Sequence, residues 1–303
     1  MPHQKRTQKM SQTVTPSPTN LEKARSEGVT ETASSSGFSA FSQETLALTR
    51  RLFIQLQRRP STLVAGIIQP VMWLVLFGAL FQNVPQGLFG ESQNYGQFLA
   101  AGVIVFTAFG GALNAGLPVM FDREFGFLNR LLVAPLESRF SIVIASAIFI
   151  ATMSLVQTAV IIGMSAFLGA GLPDPIGLGL VTAIVLLLVL GVTALSLGLA
   201  FTLPGHIELI AVIFVTNLPL LFASTALAPL SFMPTWLQVV ASLNPLSYAI
   251  EPIRHIYTHS NWLLSDVVMQ TPFANVTMGV ALMVLLGFSA IVFLSIRPLL
   301  RRS

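Results

Sequence analysis

The chain contains no cysteine, which excludes disulfide frameworks, thiolate metal centres and cysteine nucleophiles. Charge is nearly as scarce: 9% of residues are Asp, Glu, Lys or Arg, where a soluble domain carries roughly 25%. So few charges cannot coat a water-facing surface of 303 residues. Lysine vanishes after Lys23. A phosphate-binding loop needs a Lys followed by Ser or Thr behind a glycine-rich turn, so nucleotide hydrolysis of that type is excluded for this chain. No HExxH zinc motif occurs, and the four histidines, His3, His206, His255 and His259, all fall outside the long apolar runs. A buried Ser–His protease pair is therefore also excluded, and this chain is expected to hold no cofactor or catalytic metal.

What is present is apolar. Hydrophobic residues make up 53% and mean hydropathy is +0.77, the composition of an integral membrane protein. Six uncharged stretches lie near residues 63–82, 98–121, 141–168, 178–203, 209–230 and 273–296. Each is near the ~20 residues that cross a bilayer as a helix. Lipid offers the backbone no partners, and the runs lack the alternation of a barrel, so the expected fold is an all-α membrane protein. The spans contain no Asp, Glu, Lys, Arg or His. A proton- or ion-driven carrier usually carries such a group at membrane depth, so energy for transport is expected from elsewhere. The most polar span residues are Gln69, Asn114, Gln157 and Asn217. They suit either interhelical hydrogen bonds or the lining of a polar route.

The basic residues orient the chain. Fifteen of the 16 Lys and Arg precede the first span, lie between the second and third as Arg123, Arg130 and Arg139, or follow the last as Arg297, Arg301 and Arg302. Arg254 alone falls on the other side. The excess of bases on one side marks it as cytoplasmic, with both termini there. The same placement beside apolar spans argues against nucleic acid as the reason for a net charge of +4.

Three segments outside the spans stand out. Residues 1–40 contain 13 Ser or Thr and almost no large apolar groups, so a disordered cytoplasmic tail is expected ahead of a membrane domain over 41–303. Residues 41–60 read as an amphipathic helix: Leu48, Leu52, Phe53 and Leu56 share one arc while Arg51 and Arg58 lie opposite. Such a helix is expected to rest in the membrane interface, with its Arg heads among lipid phosphates and Pro60 at its end. From Arg123 and Glu124 on, Phe127, Leu128, Leu131 and Leu132 recur at helical spacing around Arg130 until Pro135. That short cytoplasmic helix rests on lipid or docks into a partner's groove.

Between the fifth and sixth spans lies an outer segment too long and too apolar for a plain loop. Pro234, Pro245 and Pro252 cut it into pieces, Trp236 to Leu243 and Ser247 to His259 among them, which suggests re-entrant half-helices. Glu251, His255 and His259 repeat every four residues, a spacing open to a metal, although Glu251 can instead pair with Arg254.

The stretch Arg123-Glu124 through Leu131-Leu132 to Pro135 resembles the coupling-helix signature of ABC-2 type exporter permeases. The stretch Pro234-Thr235-Trp236-Leu237 through Asn244-Pro245-Leu246-Ser247-Tyr248, with Glu251 and Arg254, is similar to the NPL-x-Y motif of the same family. The resemblance covers roughly residues 40–300. Asn129 stands where an acidic residue is common, and Phe127 where Thr is. The resemblance implies a permease in a bacterial inner membrane, dimeric with a second copy or a paralogue. It also implies partnership with an ATPase subunit that carries ATP and Mg. The two cytoplasmic helices would be the docking surface. Ala194 and Gly198, four residues apart, would permit close helix contact. A drug-like or lipid-linked cargo is expected, with polysaccharide or lipopolysaccharide export, or a scaffold without transport, as alternatives.

Overall fold

The computed structural model describes residues 36–58, 60–81, 83, 95–126, 140–259 and 261–302. It is a helical bundle with one small hairpin. The helices are α1 (Ser36–Arg58), α2 (Pro60–Leu80), α3 (Tyr95–Leu113), α4 (Gly116–Glu124), α5 (Phe140–Phe167), α6 (Pro175–Thr202), α7 (His206–Phe222), α8 (Thr235–Leu243), α9 (Pro245–Thr258) and α10 (Met278–Arg302). Among the described residues, four segments are long and apolar enough to cross a membrane: Tyr95–Glu124, Phe140–Phe167, Pro175–Thr202 and Met278–Ile296. Val64–Leu80 and His206–Phe222 are shorter apolar helices.

The α3–α4 pair is the axis of the bundle. Leu99, Ala100, Ile104, Val105 and Ala112 are wholly buried, and α5, α6 and α9 pack around them. Small residues make this crowding possible. A Cβ on Gly102 would collide with the backbone of Ala226, so glycine lets α3 touch the chain beyond α7. The axis is broken at Asn114 and Ala115, where the backbone tightens to three-residue hydrogen bonds. Ser196 of α6 mends the break. Its hydroxyl accepts from the Gly116 N–H at 2.9 Å and donates to the Leu113 carbonyl at 2.5 Å. A Cβ on Gly116 would sit 2.5 Å from the Ser196 carbonyl oxygen, so only glycine admits this approach.

Several boundaries depart from the sequence expectation. The first helix begins at Ser36, inside the stretch expected to be a disordered tail; the rest of that tail lies outside the described residues. The apolar run 209–230 becomes a helix only to Phe222, followed by turns and a 3-10 turn at Leu230–Phe232. The reason lies in Asn244, described below, which takes up the carbonyls at the helix end. The run 273–296 does not start as helix. Val267–Gln270 (β1) and Asn275–Thr277 (β2) pair antiparallel, and α10 starts at Met278. Thr271 closes the turn: its hydroxyl donates to the Ala274 carbonyl at 2.7 Å and accepts from the Ala274 N–H at 3.0 Å.

Local chemistry marks the other ends. Asp174 caps α6 by accepting from the Gly177 N–H, with Pro175 at the first helical position where no amide partner is needed. Gly169 and Gly171, at φ +87° and +78°, make the preceding turn in a region that other residues avoid.

Candidate functional site

Gln69 of α2, Asn114 after α3, Gln157 of α5 and Asn217 of α7 come together on the wall of one cavity of about 620 Å³. Four separate stretches of chain deliver them, so nothing in their sequence spacing announces the meeting. Apolar groups, including Trp73, Phe106, Phe149 and Phe214, form most of the remaining wall, with Thr107 and Ser154 as further polar members. No lining residue carries a formal charge. The wall follows the α3–α4 axis from Leu99 to Pro118. At 1.5 Å of rise per residue that is about 28 Å, close to the roughly 30 Å of a hydrocarbon core. Leu52 and Leu56 of α1 line one part of it, and Ala226 and Leu227 another.

The polar atoms of the wall are unevenly used. Gln157 Nε2 donates to the Gly66 carbonyl at 3.2 Å, which ties α5 to α2. Asn114 Nδ2 donates to the Gly110 carbonyl at 2.7 Å, and the Thr107 hydroxyl to the Val103 carbonyl at 2.7 Å. Ser154 Oγ and Asn217 Oδ1 are buried without a hydrogen-bond partner. Gln157 thus supplies an interhelical tie, while Asn114 and Thr107 bond to carbonyls four residues earlier.

Much of the apolar arc of α1 meets protein, while Leu46 is 70% exposed. Leu48 packs with Val119, Ile142 and Ile296, Phe53 meets Phe149 edge-on at 5.1 Å, and Leu52 and Leu56 face the cavity. Arg51 is not free for phosphates either. Its guanidinium forms a two-pronged pair with Asp122 of α4, both bonds at 2.8 Å. Glu44 accepts from the Ser141 hydroxyl of α5 at 2.8 Å. Arg58, in the last turn, is exposed. The helical wheel could separate the faces but could not name the protein groups that part of the apolar face meets.

Arg123 and Glu124 belong to the last turn of α4 rather than to a separate helix. Arg123 donates to the carbonyls of Ala200, Leu203 and Pro204 at 2.9, 2.6 and 2.8 Å, satisfying the open C-terminal end of α6. Glu124 accepts from the backbone N–H of His206 at 2.7 Å and also pairs with its imidazole, at the N-terminus of α7. Consecutive residues of opposite charge therefore grip the two helix ends of one tight turn. Phe127, Leu128, Arg130, Leu131, Leu132 and Pro135 lie outside the described residues.

The motif from Asn244 to Arg254 is a structural joint. Asn244 accepts from the Leu246 N–H at 3.0 Å and so caps α9 ahead of Pro245. Its Nδ2 donates to the carbonyls of Leu220 and Ala223 at 2.7 and 2.6 Å, closing the end of α7. The Tyr248 hydroxyl donates to the Ser242 carbonyl at 2.8 Å, folding α8 onto α9. Arg254, 5% exposed, pairs with Glu251 at 2.5 Å, donates to the Thr225 carbonyl at 2.6 Å and stacks 3.6 Å above the Phe98 ring. This base, the exception in the charge count, is buried as a link between α9 and α3.

The Glu251–His255–His259 row does not converge. Glu251 turns to Arg254, while His255 Nε2 faces Asp266 at 3.2 Å and stacks on His259. No metal-holding cluster forms among the described residues. Asp266 lies outside the spans. The Leu263 N–H, at 2.7 Å, and then His255 hold its carboxyl below the usual carboxylate range. Ala194 and Gly198 meet Ile296 of α10 within the same chain.

A multi-helix membrane bundle with an uncharged, partly open cavity and no nucleotide-binding loop in its sequence suits a transporter's membrane subunit. Residues 43–258 match the family described as ABC-2 type transporter, and the chain belongs to that family. It is 54% identical over 261 residues to "Putative transport permease ycf38" of Cyanophora paradoxa, covering 86% of this chain and 90% of the relative. The ycf38 protein of Porphyra purpurea is 56% identical over 249 residues, 82% of this chain and 86% of its own. A more distant relative is "Probable doxorubicin resistance ABC transporter permease protein DrrC" of Mycobacterium tuberculosis (strain ATCC 25618 / H37Rv). It is 28% identical over 220 residues, 71% of this chain and 76% of its own. Membership implies a membrane permease that works with an ABC ATPase subunit.

Proposed function

We propose that this chain is the permease of an ATP-driven exporter that moves an amphipathic, drug-like or lipid-linked molecule out of the cytoplasm. The observation that carries the reading is the uncharged cavity. It follows the central helix pair over nearly the depth of a bilayer and gathers the amides Gln69, Asn114, Gln157 and Asn217. An apolar wall with a few aligned hydrogen-bonding groups suits a cargo that is itself mostly apolar. The absence of an ionisable group in the spans leaves ATP on the partner as the energy source.

In this reading the uncharged runs of α2, the α3–α4 pair, α5, α6, α7 and α10 are six spans, with both termini in the cytoplasm of a bacterial cell. The tail before residue 41 stays in water, and the membrane domain runs from there to residue 303. Two permeases assemble with two ATPases, which alone hold ATP and Mg; the permease binds no cofactor and catalyses nothing. The segment Arg123 to Pro135 meets the ATPase, with Phe127, Leu128, Leu131 and Leu132 as its apolar ridge. α8 and α9 form the re-entrant outer element. Sealed vesicles containing the permease and its ATPase test this. Uptake of a fluorescent amphiphile into inverted vesicles should require ATP and persist when an uncoupler collapses the proton gradient. Uptake abolished by the uncoupler at constant ATP overturns the reading.

A further inference from the structure

Three consecutive charged residues at the end of α4 hold three different elements. Asp122 takes the Arg51 guanidinium of α1 in two bonds of 2.8 Å. Arg123 donates to carbonyls at the end of α6, and Glu124 accepts from the His206 N–H that opens α7. The first of these bears on the cavity. Along the α3–α4 axis the wall ends at Pro118, about one turn before Asp122, and α1 lies across that end. Leu48 packs beyond it against Val119 and Ile142, whereas Leu52 and Leu56, one and two turns further along α1, belong to the wall itself. Ala115 and Ser146 line the same end and are buried, at 3% and 6% exposure. The far end of α1 is a joint, because Pro60 lacks the amide that would carry helical bonding across into α2. The ion pair suits a contact that opens. The side chains of Arg51 and Asp122 are 30% and 25% exposed, so water can take over their bonds when they separate. Arg254 and Glu251, at 6% and 13%, would instead strand buried charges on parting, which marks that pair as a permanent link.

We infer that α1 is a flap over this end of the cavity, latched by the Arg51–Asp122 pair, and that an amphiphile enters there only when the latch parts. The inference rests on the cavity as the cargo's place and adds the device that admits it. Because the chain lacks cysteine, access can be read at Ser146→Cys. Thr202→Cys, exposed at the end of α6 and outside the cavity wall, is the control. The full chain is held in nanodiscs without ATP and treated with a charged, water-soluble methanethiosulfonate. Arg51→Ala and Asp122→Asn should each speed modification at Ser146→Cys about tenfold, the worth of one charge-assisted pair, and leave Thr202→Cys unchanged. Exchanging the charges, Arg51→Asp with Asp122→Arg, should slow modification again, which a merely loosened bundle would not do. In a second arm Arg51→Cys and Asp122→Cys are joined by a short reducible cross-linker. ATP-driven uptake of the fluorescent amphiphile should then be lost and should return on reduction. Modification as slow in both single variants as in the parent overturns the inference. So does equal acceleration at Thr202→Cys, acceleration that the exchanged pair does not reverse, or undiminished uptake with the latch cross-linked. Access is read without ATP, so if the parent fails to export at all, the first arm still decides the inference.

Discussion

Asn244→Ala is expected to be among the most damaging substitutions outside the spans. The side chain, 4% exposed, serves three backbone groups at once: the Leu246 N–H and the carbonyls of Leu220 and Ala223. Loss of a helix N-cap costs about 1 kcal/mol. Each buried carbonyl left without its partner adds about 1–3 kcal/mol. The expected total is about 3–7 kcal/mol, on the scale of a whole domain's stability. Asn244→Ser restores the cap but cannot reach both carbonyls, so it should recover about 1 kcal/mol. Reversible unfolding in mixed detergent micelles, followed by far-ultraviolet circular dichroism, measures both variants. Hydrogen exchange should rise together at residues 220–224 and 245–248, on the two helix ends that share the one amide. An Ala variant within about 1 kcal/mol of the parent would refute the reasoning, because the three bonds would then carry less than a single cap. Faster exchange at only one of the two helix ends would refute the claim that they are coupled.

Topology can be checked in this cysteine-free chain with single cysteines at Asn129 and Asn261. An impermeant thiol reagent on intact cells should label the second and spare the first; the reverse pattern rejects the orientation. Replacing Leu131 and Leu132 with Ala should weaken ATPase pull-down by about 2 kcal/mol or more per anchor. Arg130→Ala should cost at most ~1 kcal/mol, and undiminished binding of the double variant rejects this ridge as the docking element. For Asp266, the native bonds favour the ionised carboxyl. Their contribution is complete above the ordinary carboxylate value of about 3.9 and is lost as pH falls through the lower folded value. Exchange at Leu263 should therefore accelerate only in acid, and Asp266→Asn should remove that pH dependence.

The apolar runs were legible because lipid demands them: the fourth span, uncharged and bounded by Asp174-Pro175 and Pro204-Gly205, shows both its ends in the sequence. The fifth run was over-read because Ala223, Ala226 and Leu227 are as apolar as a helix in lipid. What stops the helix is an amide more than 20 residues later, at Asn244. The β1–β2 hairpin escaped notice for a similar reason, since β2, Asn275–Thr277, lies inside the apolar run 273–296 and reads as the start of a span unless the Thr271 turn is weighed. Asn244, Pro245 and Tyr248 were recognisable as a motif, yet their bonds to α7 and α8 are tertiary and leave no periodicity. The bonds that Arg123 and Glu124 make to the turn between α6 and α7 could not be read ahead, because all but the His206 imidazole of these partners are backbone atoms. Backbone atoms have no sequence signature. The four amides could be singled out by rarity alone, but their convergence required the fold.

The single hydroxyl of Ser196 has a mechanical consequence. It holds both broken ends of the central span, accepting from Gly116 and donating to Leu113. A slide of α6 along its axis, about 1.5 Å per residue, would move that oxygen relative to both groups at once. Bending of the second span and sliding of the fourth are thus one degree of freedom rather than two. Because Arg123 and Glu124 fasten the end of α4 to the corner where α6 ends, the two are joined at the tip and at the break. A force applied at that corner acts as torque about Ser196, and the lever arm is the nine-residue helix Gly116–Glu124.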